Sequence, residues 1–130
     1  MYSNLHNATF IDFSNKVSED TCSLFDLNKK FENYQMVAES RGFSSEMLAV
    51  PEQIHSADIK YIDTPGDYIG TDGLITDNPK IILILRVADC IPVYIYESRS
   101  QLIGLVHSGW RGTIGGILPN AIQLMLEMGA

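Results

Sequence analysis

The chain has 130 residues, 45% hydrophobic and 19% charged, so it can form a core and its composition excludes an intrinsically disordered polymer. Lys and Arg number 9 against 16 Asp and Glu, and the formal net charge of −7 argues against binding to nucleic acid or to an anionic membrane. The most apolar run, residues 81–85, is far shorter than the ~20 residues that span a bilayer. No signal peptide is visible and 2 cysteines are too few for a disulfide framework. We therefore expect a soluble, cytoplasmic protein with a single domain over residues 1–130.

The N-terminal part of the chain is predicted to hold a strand, a loop and a helix. Residues 8–13 (ATFIDF) predict a short strand, and the polar residues 14–28 indicate a loop. From about residue 29 to Ser40 the apolar residues recur with roughly helical spacing. Gly42 follows, and glycine is typical of the position just after a helix.

Three short strands are predicted next, at residues 47–54, 59–62 and 73–76. Pro51 interrupts the first of them, which favours an edge or bulge position because proline has no N–H to donate. The sequence TPGD at residues 64–67 predicts a turn. Asp72, which precedes Gly73, is interpreted as part of another tight turn.

The region from residue 77 onward is dense in β-forming residues. After a turn at residues 77–79, the continuous branched apolar run at residues 81–87 predicts a strand buried on both faces. Strands at residues 93–96 and 102–107 are separated by the short polar connection 98–100, so we expect them to form a hairpin.

The hydrophobic period changes after residues 108–112 (SGWRG). Apolar residues between 114 and 128 describe a helix with a broad apolar face, and Pro119 falls near its start, where proline costs least. Strands followed by a strand-to-helix crossing predict a layered α/β or α+β domain with a mixed sheet and flanking helices.

Three residues that could share a metal ion lie where predicted strands give way to irregular backbone: His55, Cys90 and His107. Two imidazoles and a thiolate suit Zn²⁺, and the same donors can bind copper. Two alternatives remain open at this point. Cys90 could be a core residue beside ordinary histidines, or a metal-free nucleophile with one of the histidines as its base.

The residues around these three carry a resemblance to a known family. Four blocks occur in order: QIHS (53–56), TDGLIT (71–76), ADCIPV (88–93) and HSGWRGT (107–113). The series resembles the laccase-domain, or multicopper polyphenol oxidase, family, whose members are also described as purine nucleoside phosphorylases. The match covers roughly residues 50–120, whereas the first 50 residues match loosely.

The resemblance implies an α/β sandwich shared with cysteine-hydrolase-like toxins, and a zinc ion bound by His55, Cys90 and His107. It also implies phosphorolysis of adenosine, inosine, guanosine and methylthioadenosine, with adenosine deamination as a further activity. An older label of the family is copper-dependent oxidation of phenols, which 3 histidines are too few to support. Another reported activity is hydrolytic editing of cell-wall precursors.

We predict that the catalytic residues are Cys90, His107 and Arg111. Roles are also predicted for three further residues, Trp110, Asp89 and Gln53. Arg111 offers a bidentate guanidinium to phosphate, or a salt bridge that pins its turn. Trp110 could stack on a purine or belong to the core. Asp89 could orient a ligand histidine or serve as a turn carboxylate, and Gln53 is assigned a polar contact to substrate.

The resemblance also changes how the length is interpreted. Family members are considerably longer than this chain, so we expect a half-domain that is truncated, split or completed by pairing with another chain, including a second copy. The partners expected are a purine nucleoside and phosphate, and a non-catalytic metal-binding module is the alternative to an enzyme.

Overall fold

The structure is a computed structural model that describes residues 30–130. The strand predicted at residues 8–13 and the loop at 14–28 lie outside the described residues. The chain divides into two compact units, Met1–Glu46 and Met47–Ala130, which are described separately.

The described part of the first unit holds one helix, α1 (Lys30–Ser40), as predicted. The helix ends where Gly42 adopts a φ of 82°, a left-handed conformation that glycine accepts without steric cost. The Gly42 N–H donates to the carbonyl of Glu39, and the Phe43 N–H donates to that of Ala38. These bonds satisfy carbonyls that the helix end would otherwise leave unpaired.

The second unit begins within a short 3-10 helix (Ser45–Met47) and contains two sheets and two helices. Its elements are β1 (Leu48–Pro51), β2 (Ile59–Tyr61), β3 (Gly66–Tyr68), β4 (Gly73–Thr76), β5 (Ile82–Leu83), β6 (Ile91–Glu97), β7 (Leu102–Ser108), α2 (Trp110–Ile114) and α3 (Ile117–Glu127). The smaller sheet is parallel in the order β3-β1-β5, and the larger has the order β2-β4-β7-β6. In the larger sheet β2 is parallel to β4, whereas β7 is antiparallel to both β4 and β6. The mixed α/β fold and the β6–β7 hairpin are therefore confirmed.

Strand β4 lies between two apolar cores because adjacent side chains of a strand point to opposite faces. Leu74 and Ile75 are both completely buried. Ile75 belongs to a cluster that includes Val106 of β7 and Ile117 of α3. Leu74 belongs to a cluster with Ala49 of the smaller sheet. The unit is thus layered as helix, larger sheet and smaller sheet, and all four residues of β4 are buried.

Two predictions about the smaller sheet are wrong. Residues 81–87 do not form one long buried strand: only Ile82–Leu83 pair, beside Leu48 and Ala49 of β1, and both are half-buried. Pairing ends at Ala49 and Leu83 although β1 continues to Pro51. After the bond from the Ile84 N–H to the Ala49 carbonyl, the next bond of this parallel ladder would need an N–H from Pro51, which proline lacks. The turn predicted at residues 64–67 is partly strand, since β3 begins at Gly66.

The expected edge position of Pro51 also needs correction. Strand β1 is central in its sheet, with β3 on one side and β5 on the other. Pro51 is nevertheless the last residue of the strand, and its register partner is Tyr68 of β3 while pairing with β5 has already ended at Ala49. The missing N–H of Pro51 is tolerated because this residue pairs with β3 alone and has no register partner in β5.

The C-terminal helical region is two helices where one was expected. Gly115 and Gly116 separate α2 from α3, and Gly116 has a left-handed φ of 83°. Pro119 does fall in the first turn of α3, as predicted. Within α3, Ala121 is buried, whereas the side chains of Ile122 and Leu126 are exposed. Among the described helices, none is long and apolar enough to cross a bilayer.

Candidate metal centre

Sheet topology brings the predicted ligands to one edge of the larger sheet. Because β4 and β6 run antiparallel to β7, their first residues lie beside the last residues of β7. Cys90 directly precedes β6, and His107 lies near the end of β7, opposite Pro92. Strand β2 is parallel to β4, so the loop that precedes it, which carries His55, reaches the same edge.

The three side chains converge. One potential ligand atom from each of His55, Cys90 and His107 lies within 4.8 Å of the other two. The two imidazole rings meet edge to face, with centroids 4.9 Å apart. His107 is buried, Cys90 is half-buried and His55 is exposed, so the cluster opens toward solvent on the His55 side. The sequence prediction that these three residues come together is consistent with this geometry.

Asp72, interpreted from sequence only as a turn residue, holds both histidines. It is completely buried, and its Oδ1 lies 2.8 Å from Nδ1 of His107. Because an ionised carboxylate only accepts, Nδ1 carries the proton and Nε2 is left with a lone pair for a metal ion. The same Oδ1 accepts the backbone N–H of His55 at 2.9 Å. One carboxylate therefore positions the ring of one ligand and the backbone of another.

The other oxygen of Asp72 binds the loop around His55. Its Oδ2 accepts N–H bonds from Ser56 at 2.7 Å and Ile54 at 3.2 Å, and the Ser56 hydroxyl at 2.7 Å. Burial by itself raises the pKa of Asp72, but the hydrogen bonds from His107, Ser56 and His55 outweigh it, so the pKa is lowered. Asp72 therefore stays ionised at neutral pH and remains an acceptor.

The loop carrying His55 has a strained backbone. His55 has a φ of 64° and Gln53 a φ of 65°, in the left-handed region that side chains with a Cβ adopt at a cost. The bonds to Asp72 stabilise the loop in this conformation, which aims the His55 ring at the other ligands. Such strain is typical of functional sites.

Gly109 closes the cluster on the side of α2. A Cβ at this position would lie 3.0 Å from Cδ2 of His55, 3.3 Å from Sγ of Cys90 and 3.8 Å from Cε1 of His107. The residues fit a metal ion on three grounds: a histidine and cysteine donor set, convergent ligand atoms, and one imidazole fixed by a carboxylate in the tautomer that a metal requires.

The electrostatic surroundings of Cys90 do not suit a metal-free nucleophile. Burial and the neighbouring carboxylate of Asp89 raise the pKa of the Cys90 thiol. A cysteine nucleophile needs the opposite shift, because the thiolate is the reactive form. Coordination to a cation would supply the missing positive charge.

The structure shows which protein atoms Asp89 and Gln53 contact. Asp89 is exposed and its Oδ1 lies 3.9 Å from Sγ of Cys90; within residues 30–130 the carboxylate bonded to a ligand histidine is that of Asp72. The side-chain amide of Gln53 binds backbone atoms of Arg86. The sequence feature that could have identified Asp72 as a site residue is its position in the TDGLIT block, one of the four blocks that carry the family resemblance.

Trp110 and Arg111 lie next to Gly109 and are exposed. Trp110 is 69% exposed, so it does not belong to the core. The Arg111 guanidinium lies over its ring, with Cζ 5.2 Å from the ring centroid, within range of a cation–π contact. In the described part of the chain Arg111 makes no ion pair, so the structure there does not support a salt bridge that pins the turn.

Comparison with known proteins identifies relatives over most of the chain. The family model described as multi-copper polyphenol oxidoreductase laccase matches residues 26–130. A protein of Deinococcus radiodurans named purine nucleoside phosphorylase is 32% identical over 99 residues, which cover 76% of this chain and 39% of the relative. Purine nucleoside phosphorylase YlmD of Geobacillus stearothermophilus is 37% identical over 102 residues, covering 71% of this chain and 37% of the relative.

Solved structures agree with these matches. The crystal structure of YlmD from Geobacillus stearothermophilus superposes with a TM-score of 0.69 at 36% identity, covering 76% of this chain and 40% of that one. Bacillus licheniformis YfiH also gives a TM-score of 0.69, at 27% identity, with 81% and 43% covered. The chain spans about two fifths of the length of the relatives it matches.

Proposed function

The chain belongs to the multi-copper polyphenol oxidoreductase laccase family, and we propose that it acts as a zinc-dependent enzyme that cleaves purine nucleosides by phosphorolysis. The observation that carries the proposal is the convergence of His55, Cys90 and His107 around Gly109, with Asp72 fixing both histidines. The relatives named purine nucleoside phosphorylase support the substrate class.

His55, Cys90 and His107 would hold the ion, and within residues 30–130 no fourth histidine, cysteine or carboxylate belongs to this cluster. When bound, zinc supplies positive charge that polarises a substrate oxygen or a water molecule. Asp72 keeps the proton of His107 on Nδ1, so that this ring is always presented in its metal-binding tautomer. The exposed side of His55 leaves an approach open for substrate.

Arg111 and Trp110 are the residues proposed to bind substrate. Phosphorolysis replaces the glycosidic bond by a bond to phosphate, so the site must hold an anion close to the nucleoside. The guanidinium of Arg111 can donate two parallel N–H bonds to phosphate oxygens. Trp110 presents an exposed aromatic face on which a purine can stack, beside the Gly109 that borders the metal ligands.

Copper-dependent phenol oxidation is the second candidate, because the family model carries that description and a His₂Cys set also suits copper. Within residues 30–130 there is one such cluster, and it uses both histidines of that range. A single cluster does not provide the several copper ions of a multicopper oxidase. Adenosine deamination is an outcome of the same assay, whereas hydrolysis of cell-wall precursors requires those precursors as substrates.

The experiment measures bound metal and nucleoside turnover on the full 130-residue chain. Purified protein is analysed for zinc and copper, then incubated with adenosine or inosine with and without phosphate, and products are separated by chromatography. Phosphate-dependent release of free base supports the proposal, while inosine from adenosine indicates deamination. Stoichiometric zinc without turnover refutes the nucleoside phosphorylase and leaves a metal-binding module or an enzyme with another substrate. Stoichiometric copper with oxidation of a phenol favours the second candidate.

Two variants separate the roles. Cys90→Ala should remove both zinc and turnover. Arg111→Ala should retain zinc and raise KM for phosphate, whereas Arg99→Ala, an exposed arginine in the β6–β7 connection, should leave both unchanged. Equal effects of the two arginine variants would contradict the phosphate role.

A further inference from the structure

The segment that carries Cys90 has little regular structure to hold it. After β5 ends at Leu83, residues 84–90 form no strand, and β6 begins only at Ile91. The other two ligands are fixed differently: His107 lies within β7 with its ring bonded to Asp72, and the His55 loop is bonded to the same carboxylate. Cys90 is therefore held on one side by β6, whose Ile91 lies opposite Ser108 of β7, and on the other side by whatever attaches residues 84–90 to the rest of the unit.

Gln53 supplies such an attachment. Its Nε2 donates to the backbone carbonyl of Arg86 at 2.6 Å, and its Oε1 accepts the backbone N–H of Arg86 at 3.0 Å. The side-chain amide thus makes the pair of hydrogen bonds that a neighbouring strand would make, at the point where β1 has already ended. Both bonds are made with backbone atoms of Arg86, a residue that is exposed.

Gln53 is itself fixed relative to a ligand. Its backbone N–H donates to the carbonyl of Thr71 at 2.9 Å, next to Asp72, and it lies two residues before His55. Its φ of 65° is a costly conformation for a residue with a Cβ. The side chain therefore joins the segment that carries His55 to the segment that carries Cys90.

We propose that Gln53 is a positioning residue for the metal centre, which holds the backbone at Arg86 so that Cys90 reaches the ion. The inference rests on the proposed metal function of the cluster. Gln53 acts through Cys90, and its amide is engaged with backbone rather than with substrate. Loss of a residue that supports a metal ligand typically weakens metal binding by about 10–100-fold.

The test uses Co²⁺ as the probe, because a cobalt–thiolate bond gives a charge-transfer absorption band that cobalt–imidazole bonds do not. Gln53→Met keeps the length of the side chain and removes both hydrogen bonds. The matched control is Gln101→Met, which changes another glutamine with a left-handed φ, 60°, whose amide donates to Ser98 and Tyr96 in the β6–β7 connection. Far-UV circular dichroism and urea midpoints establish that each variant is folded.

The expected result for Gln53→Met is a Co²⁺ affinity at least about 10-fold lower and a weakened charge-transfer band, with Gln101→Met like the wild type. In a Cys90→Ser background, Gln53→Met should cause little further loss, because the two changes remove the same bond. If Gln53→Met does not fold, Gln53→Glu serves in its place: it keeps an acceptor for the Arg86 N–H but sets a carboxylate oxygen against the Arg86 carbonyl.

An unchanged band and affinity in the folded Gln53 variant would overturn the inference while leaving the metal centre intact. An equal loss in the wild-type and Cys90→Ser backgrounds would also overturn it, since Gln53 would then act through the His55 loop or the fold and not through Cys90. A wild-type chain that binds Co²⁺ without a charge-transfer band would refute Cys90 as a ligand, and with it the proposed metal centre.

Discussion

Replacement of Gly109 by alanine tests whether this residue borders the metal ligands. The backbone of Gly109 has φ −75° and ψ 167°, which alanine adopts freely, so the substitution introduces no backbone strain. The added Cβ would lie 3.0 Å from Cδ2 of His55 and 3.3 Å from Sγ of Cys90. Non-bonded carbons are most favourably separated by about 3.5–4.0 Å, so the His55 ring must move away by a few tenths of an ångström.

That displacement is large for a metal site but small for the fold. Ligand distances in protein metal sites are held to within about 0.2 Å, and disturbing the residues around a ligand typically costs about 10–100-fold in affinity. We therefore expect Gly109→Ala to weaken zinc binding by about 1.4–2.8 kcal/mol. Without metal, the lower entropy of the unfolded alanine chain contributes about 0.4–1 kcal/mol, so the stability of the apo protein should change by less than about 1 kcal/mol.

Competition with a chromophoric chelator gives the zinc affinity, and urea unfolding with and without zinc gives the two stabilities. Gly104→Ala is the control, since its Cβ would meet Ile75 at 3.4 Å, an ordinary contact, on the face of β7 that packs against α3. Wild-type zinc affinity in Gly109→Ala would refute the assignment of Gly109 to the border of the site. An equal loss in Gly104→Ala would show that the effect is not local.

Two further changes probe carboxylates in the second unit. Asp72→Asn places an NH₂ group against N–H donors and favours the His107 tautomer protonated on Nε2, so zinc affinity should fall at least about 10-fold. The control is Asp77→Asn, which changes an exposed carboxylate and should retain the wild-type zinc affinity. The tautomer of His107 is measured by ¹⁵N NMR of the imidazole, and an unchanged tautomer in Asp72→Asn would contradict the reasoning. For Glu97, hydrogen bonds from the Ser100 side chain and neighbouring N–H groups lower the pKa from 4.5 to about 2. Because the pKa of Glu97 is lower in the folded than in the unfolded state, its carboxylate stabilises the fold above the unfolded pKa, and this contribution is lost as the pH falls. The stability advantage of the wild type over Glu97→Gln should therefore be constant above about pH 5 and shrink toward pH 2. A difference in urea midpoints that does not depend on pH would refute this expectation.

Local sequence was sufficient where an element depends on its neighbours along the chain. The end of α1 followed from the glycine at position 42, and the β6–β7 hairpin followed from two apolar runs joined by a short polar connection. The strand predicted at residues 81–87 failed because pairing needs a partner. Pairing of β5 with β1 stops at Leu83 although β1 runs on to Pro51, because proline has no N–H to donate to the next rung of the ladder.

The sequence by itself indicated the donor chemistry: two histidines and a cysteine, in blocks that resemble one family. Only the tertiary structure decided that these residues meet. The positions are 35 and 17 residues apart in the chain, and the antiparallel pairing of β7 with β4 and β6 brings their ends to one edge. The same pairing made Asp72 a buried acceptor instead of a turn residue, because its hydrogen-bond partners lie 16 to 35 residues away and no local pattern encodes them.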